Sequence, residues 1–309
     1  MAKEYVTKFL QTKLAVSERA FRLNEPPRLS IYDAVKTINA VLKTPSERRA
    51  LAGSRVIECR GYRDEGDVLG LYLVGYVPND SIGIVPHKVD DLALMPPPED
   101  ADFLDGELMA LIAKDAIIVI RLGMYESAIN NYLEGLAEKA GLNVDDARFV
   151  FKNRTDIDKL KVIENDGVAS IRFNGVANAA AVNHAARDKD DGVIQSFVSN
   201  VWTEIQALTY GDMAPRRASE NLKVEVFLKY DRRSGTRIDQ EEIKDVAERV
   251  FETNEGFEVV TLSGRKIHPE DVLLNKRVSL QKYGKSVAFN DVLSEMIEYY
   301  NELNSPAGG

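Results

Sequence analysis

Ala116-Ile-Ile-Val-Ile-Arg-Leu122 is followed by Gly123 and then by Tyr125-Glu-Ser-Ala-Ile-Asn-Asn-Tyr-Leu-Glu-Gly-Leu-Ala-Glu-Lys139. The first stretch is a short β-branched apolar run with turn residues at its end, which predicts a buried strand. The second repeats Ile129, Tyr132, Leu133 and Leu136 at helical spacing and stops at Gly141, which predicts a helix with a glycine end. A strand and a helix in direct succession place the chain in a class that mixes both elements.

The flanking sequence extends this pattern. Tyr5 to Leu23 reads as one or two extended segments halted at Asn24-Glu-Pro-Pro. Ser30 with Asp33 marks a helix start, and Ile31, Ala34, Val35, Ile38 and Leu42 form its apolar face up to Pro45. Arg55–Arg63 and Val68–Val77 read as strands joined by Asp64-Glu-Gly-Asp, and Met95-Pro-Pro-Pro is a stiff break. Further strands are expected at Arg148–Lys152 and Val168–Phe173, then an alanine-rich helix through Ala186 and a strongly amphipathic helix over Val193–Leu208.

Tyr210-Gly-Asp-Met-Ala-Pro215 offers a boundary, so the expected architecture is α+β. It comprises a mixed-sheet N-terminal body over residues 1–210 and a smaller α/β C-terminal module over 211–309. In that module Leu222–Tyr230 alternates as a half-buried strand, and a helix runs from Ile243. Phe257–Leu262 and Arg265–His268 form a hairpin, Arg277–Leu280 adds a strand, and a final helix capped by Asn290 follows.

Composition narrows the chemistry. The 309 residues carry 40 basic and 49 acidic side chains, a formal net charge of -9. One cysteine, Cys59, excludes an internal disulfide framework and fits a reducing, cytoplasmic setting. His87, His184 and His268 stand in no metal-ligand spacing, so neither a metal nor a cofactor is expected. Neither a Walker loop, a GxGxxG turn nor a GxSxG elbow occurs, and no catalytic residue is nominated. No apolar run reaches the length of a membrane span.

Against the acidic background two segments are basic. Pro215–Arg237 holds seven basic residues against three acids, Gly264–Lys285 six against two, and Asp239–Glu258 between them has eight acids against two bases. Arginine dominates the first segment, and planar guanidiniums bind phosphate oxygens bidentately. The expected phosphate contacts are Arg216, Arg217, Lys229, Arg232, Arg233, Arg265, Lys266, Lys276 and Arg277. Nothing in the pattern codes for base reading, so contacts of this kind would give salt-dependent, largely sequence-independent binding of double-stranded DNA. The plainer alternatives are a solvated face or lysine protection of a sheet edge. A further one is a protein-interaction or scaffold subunit whose basic surface meets an acidic partner.

Leu222-Lys-Val-Glu-Val-Phe-Leu-Lys-Tyr, the loop Asp231-Arg-Arg, the helix from Ile243, Phe257-Glu-Val-Val and Lys276-Arg-Val-Ser-Leu together resemble the RexA phage-exclusion proteins. Ile117-Ile-Val-Ile-Arg and the helix ending near Tyr132-Leu-Glu-Gly-Leu are similar to them as well. The resemblance implies a cytoplasmic, non-enzymatic, homodimeric DNA-binding sensor of anti-phage defence. Such a sensor acts through a membrane effector protein without inserting into the membrane itself.

Overall fold

The computed structural model describes residues 4–23, 25–87, 90–156, 161, 163, 165–176, 223–229, 244, 247 and 257–305. The amphipathic stretch 193–208, the alanine-rich stretch before it and the expected boundary at 210–215 lie outside them. The chain divides into two compact units, Met1–Lys152 with Asn275–Gly309, and Asn153–Leu274. Its class is α+β, with a large antiparallel sheet in the first unit and a smaller one in the second.

In the first unit the strands are β1 (Tyr5–Ser17), β2 (Arg49–Ala52), β3 (Arg55–Asp64), β4 (Leu69–Tyr76), β5 (Ile82–Ile84), β6 (Ala93–Met95), β7 (Gly106–Ala113), β8 (Ala116–Leu122) and β9 (Phe149–Asn153). The α-helices before residue 150 are α1 (Glu18–Leu23), α2 (Ile31–Val41) and α3 (Ser127–Ala137). The second unit contributes β10 (Val168–Val176), β11 (Lys223–Lys229), β12 (Phe257–Thr261), β13 (Lys266–Ile267) and the short helix α4 (Pro269–Val272). The chain then returns to the first unit with β14 (Asn275–Tyr283), β15 (Ser286–Val287) and α5 (Phe289–Asn304).

The large sheet runs β15-β14-β1-β8-β7-β4-β3-β2, with β9 also against β1. Over β7 and β8 it is covered on both faces, and strand alternation sorts the side chains. Leu108, Ala110 and Ile112 of β7 join Ile117 and Val119 of β8 in the core under α2 and α3. Met109, Leu111 and Ala113 join Ile118 and Ile120 in the core under α5. Two-sided burial is why β7 and β8 are almost uniformly apolar. α2 contributes Ile31, Ala34, Val35 and Ile38, and α3 contributes Ile129, Tyr132, Leu133 and Leu136. Burying each large side chain stabilises the unit by roughly 1.5–3 kcal/mol before entropy is counted. The expected N-cap of α2 holds: Ser30 Oγ accepts from the Asp33 N–H at 3.1 Å.

α5 lies close to its sheet because glycines make room. A Cβ on Gly70 would sit 2.8 Å from Leu293 Cδ1, and one on Gly61 would sit 2.9 Å from Phe289 Cδ1. The helix begins at Phe289 with Ala288 at its cap, so Asn290 lies within the first turn and is not the cap. Pairing to Val287 and packing of Phe289 on Tyr72, with ring centroids 5.5 Å apart, set that earlier start.

The expected 211–309 module is divided between the units. β14 pairs with β1 over seven positions, from Tyr5–Gln281 to Gln11–Asn275, which makes it a strand of the large sheet. The second unit keeps the antiparallel order β11-β10-β12-β13. Val168, Ile171, Phe257, Val259 and Ile267 form its core with Ala247, Val272 and Leu273.

Candidate nucleic-acid interface

The expected contacts fall into three groups. Arg216, Arg217, Arg232 and Arg233 lie outside the described residues. Lys229, Arg265 and Lys266 belong to the second unit, and Lys276 and Arg277 to the first.

In the second unit the backbone register builds a row. Lys229 is opposite Ser170, Ser170 is opposite Val260, and Val260 is opposite Lys266. The next row is Phe227, Arg172 and Glu258. The alternate positions Ile171, Val259 and Ile267 are in the core, so by the two-residue period Ser170, Val260 and Lys266, with Arg172 and Glu258, lie on the other face of the sheet. Lys266 is not a free cation there, since its Nζ lies 3.1 Å from Glu258 Oε2. That ammonium, hydrogen-bonded to Glu258, holds the carboxyl below its ordinary range, against the opposing effect of partial burial. Arg265 sits beside Gly264, whose φ of 88° makes the turn, and its backbone N–H donates to Thr261 Oγ1 at 3.1 Å. Its side chain is exposed.

In the first unit the strand period separates two neighbours. Lys276 turns to α5, where its Nζ is 2.8 Å from Glu302 Oε1, 3.8 Å from Glu298 Oε1 and 5.9 Å from the Tyr299 ring centroid. The hydrogen bond to Glu302 raises its pKa. Arg277 is directly opposite Phe9 on the other face and is exposed. Neither Arg265 nor Arg277 has a carboxylate within ion-pair distance among the described residues.

A second polar cluster was not anticipated. Glu58, Val74 and Glu107 form one row across β3, β4 and β7, and both carboxylates are buried, at 1% and 2% exposure. Glu58 accepts from Arg49 Nε at 2.5 Å, Arg60 Nη1 at 2.8 Å and the Tyr76 hydroxyl at 2.9 Å. Burial pushes its pKa up, and the hydrogen bonds from Arg60, Tyr76 and Arg49 outweigh that and leave it lowered. The Tyr76 phenol is pushed up to about 12 by burial and by its bond to Glu58. Glu107 accepts from the Tyr72 hydroxyl and from Ser286 Oγ, the latter at 2.7 Å. Both guanidiniums beside Glu58 are half-exposed, so the carboxylate fixes two cations at the rim of the sheet. The available signal was a lone acid in each of two apolar runs, Val56-Ile-Glu-Cys and Gly106-Glu-Leu-Met-Ala. A lone acid there needs a partner.

No helix among the described residues is long and apolar enough to cross a membrane. Comparison with protein-family models, with curated proteins and with solved structures finds no match for this chain.

Proposed function

We propose that the chain is a non-enzymatic, largely sequence-independent DNA-binding protein. The observation that supports this reading is that two exposed guanidiniums, Arg265 and Arg277, have no carboxylate within ion-pair distance among the described residues, in a protein of net charge -9. Elsewhere the described basic side chains at expected contacts meet acids: Lys266 pairs with Glu258, and Lys276 with Glu302. Arginines that meet no carboxylate among the described residues are available for phosphate oxygens, which they bind bidentately. A homodimeric sensor of phage replication, coupled to a membrane effector, is the setting that the RexA-like resemblance adds to this proposal.

The test is fluorescence anisotropy on two duplexes of unrelated sequence across a salt series. Arg265→Ala and Arg277→Ala are each expected to weaken binding equally on both duplexes and to reduce the slope of log affinity against log salt by about 1. Lys276→Ala is expected to change neither. Unaltered retention of both arginine variants on duplex DNA at low salt would refute the reading, and so would strong discrimination between the duplexes.

A further inference from the structure

We infer that the open face of β1 and β14 is a stacking platform for single-stranded nucleic acid; this deepens the DNA-binding reading and rests on it. Val6, Leu10, Val278 and Leu280 pack toward α5, so the intervening positions look the other way. On that side lie Tyr5, Thr7 and Phe9 of β1 and Arg277, Ser279 and Gln281 of β14, and Tyr283 follows two residues further along β14. Among the described residues, the core under α2 and α3 includes Ala15 of β1 and no residue of β14. Consequently Tyr5 is 61%, Phe9 49% and Tyr283 53% exposed. Large aromatic side chains are normally the best reward for burial, and three of them half-exposed along these strands offer a contact surface.

The chemistry of the face selects the occupant. Between Tyr5 and Tyr283 it carries hydroxyls, amides and one arginine and no carboxylate, although the chain as a whole is acidic. An apolar protein partner would want aliphatic neighbours around the rings, and the neighbours here are hydrogen-bonding groups. Bases offer π-faces and hydrogen-bonding edges, and the linking phosphates offer the counter-charge that Arg277 finds in no described residue. Phe9 and Arg277 are directly opposite, so their Cβ atoms lie about 5 Å apart, close enough for one nucleotide to stack on the ring and meet the guanidinium. Tyr5 is four residues along the same strand, about 13 Å away, which leaves room for a base on each ring. Bases in a duplex have their faces covered by stacking, so the rings can be used only by an unpaired strand. Recognition of this type tolerates any sequence because every base has a π-face.

The experiment measures anisotropy of a labelled oligo-dT and of a labelled duplex against the full chain, Phe9→Ala, Tyr5→Ala and Phe9→Trp. Phe9→Ala is expected to weaken oligo-dT binding by about 5- to 150-fold and to leave duplex binding within twofold, with an unchanged far-UV circular dichroism spectrum. Phe9→Trp is expected to keep the affinity and to show fluorescence quenching on adding oligo-dT. If the duplex binds and Phe9→Ala leaves oligo-dT affinity unchanged, the platform is refuted and DNA binding stands. If neither nucleic acid binds, both fall. A drop in solution mass in Phe9→Ala or Tyr5→Ala would assign the face to a second copy of the chain and overturn the inference.

Discussion

Removing both arginines from the Glu58 cluster tests whether that buried carboxylate is held by charge. In the parent, Glu58 is 1% exposed and accepts three hydrogen bonds, two of them from guanidiniums. Its pKa in the folded chain is lowered, so it contributes stability that is present above the unfolded value of about 4.3 and is lost as pH falls through the folded value. In Arg49→Ala/Arg60→Ala only the Tyr76 hydroxyl remains, and burial, already the largest single influence, takes over. The folded pKa then rises above the unfolded one and the sign reverses: the carboxyl favours the fold at low pH and opposes it as pH rises. Breaking a buried pair costs about 3–5 kcal/mol. The half-exposed arginines and the retained tyrosine place this case near about 3 kcal/mol at neutral pH, or a melting temperature lower by roughly 6–12 °C. Urea unfolding followed by circular dichroism between about pH 5 and pH 8 reads the difference from the parent, which is expected to shrink toward the acid end. Adding Glu58→Leu to the double variant removes the stranded charge and is expected to recover most of the loss. A pH-independent deficit, or a triple variant as unstable as the double, would refute the electrostatic account.

Two further outcomes test the packing. Gly70→Val drives a side chain into Leu293 and Phe289 of α5 and is expected to cost about 1–3 kcal/mol in urea unfolding, whereas Gly83→Ala, which meets nothing within 4 Å, is expected to be neutral or slightly stabilising. Cys59 is fully buried and burial pushes its thiol up. Native protein is therefore expected to resist a thiol reagent near neutral pH and to label only on unfolding, and rapid native labelling would contradict its position under α2 and α3.

Local signals were legible and long-range ones were not. The Ser30 cap, the β3–β4 hairpin, β8 and α3 depend on residues near each other in sequence, and each lies where the pattern put it. β7 went unread because Gly106-Glu-Leu-Met-Ala-Leu-Ile-Ala113 is buried at every position and so shows no alternation, which leaves a short apolar run ambiguous between strand and helix. The expected extended segment at the start ends instead in α1, since Glu18–Leu23 turns helical after β1. The pairing of β1 with β14 joins the two ends of the chain, and no local pattern encodes a partner that distant. For the same reason Arg49, Glu58, Arg60 and Tyr76 look like unrelated residues until β2, β3 and β4 are laid side by side.

The basic segments show how this affects a charge count. Gly264–Lys285 is one positive stretch in sequence, yet the boundary between the units falls inside it, at Leu274 and Asn275. Within β14 the two-residue period then divides what remains. Lys276 goes to the α5 face, where Glu298 and Glu302 meet it, and Arg277 goes to the opposite face, where Phe9 is its neighbour. Adjacent cations of equal formal charge thus differ in what they can offer an anion: one is already screened by carboxylates, and the other has none within ion-pair distance among the described residues. What determines anion binding is therefore the pairing state of each cation. On that measure Arg277 carries more weight in the proposal than the net excess of the segment around it, and its exposed aromatic neighbours are what set the β1–β14 face apart from a basic patch alone.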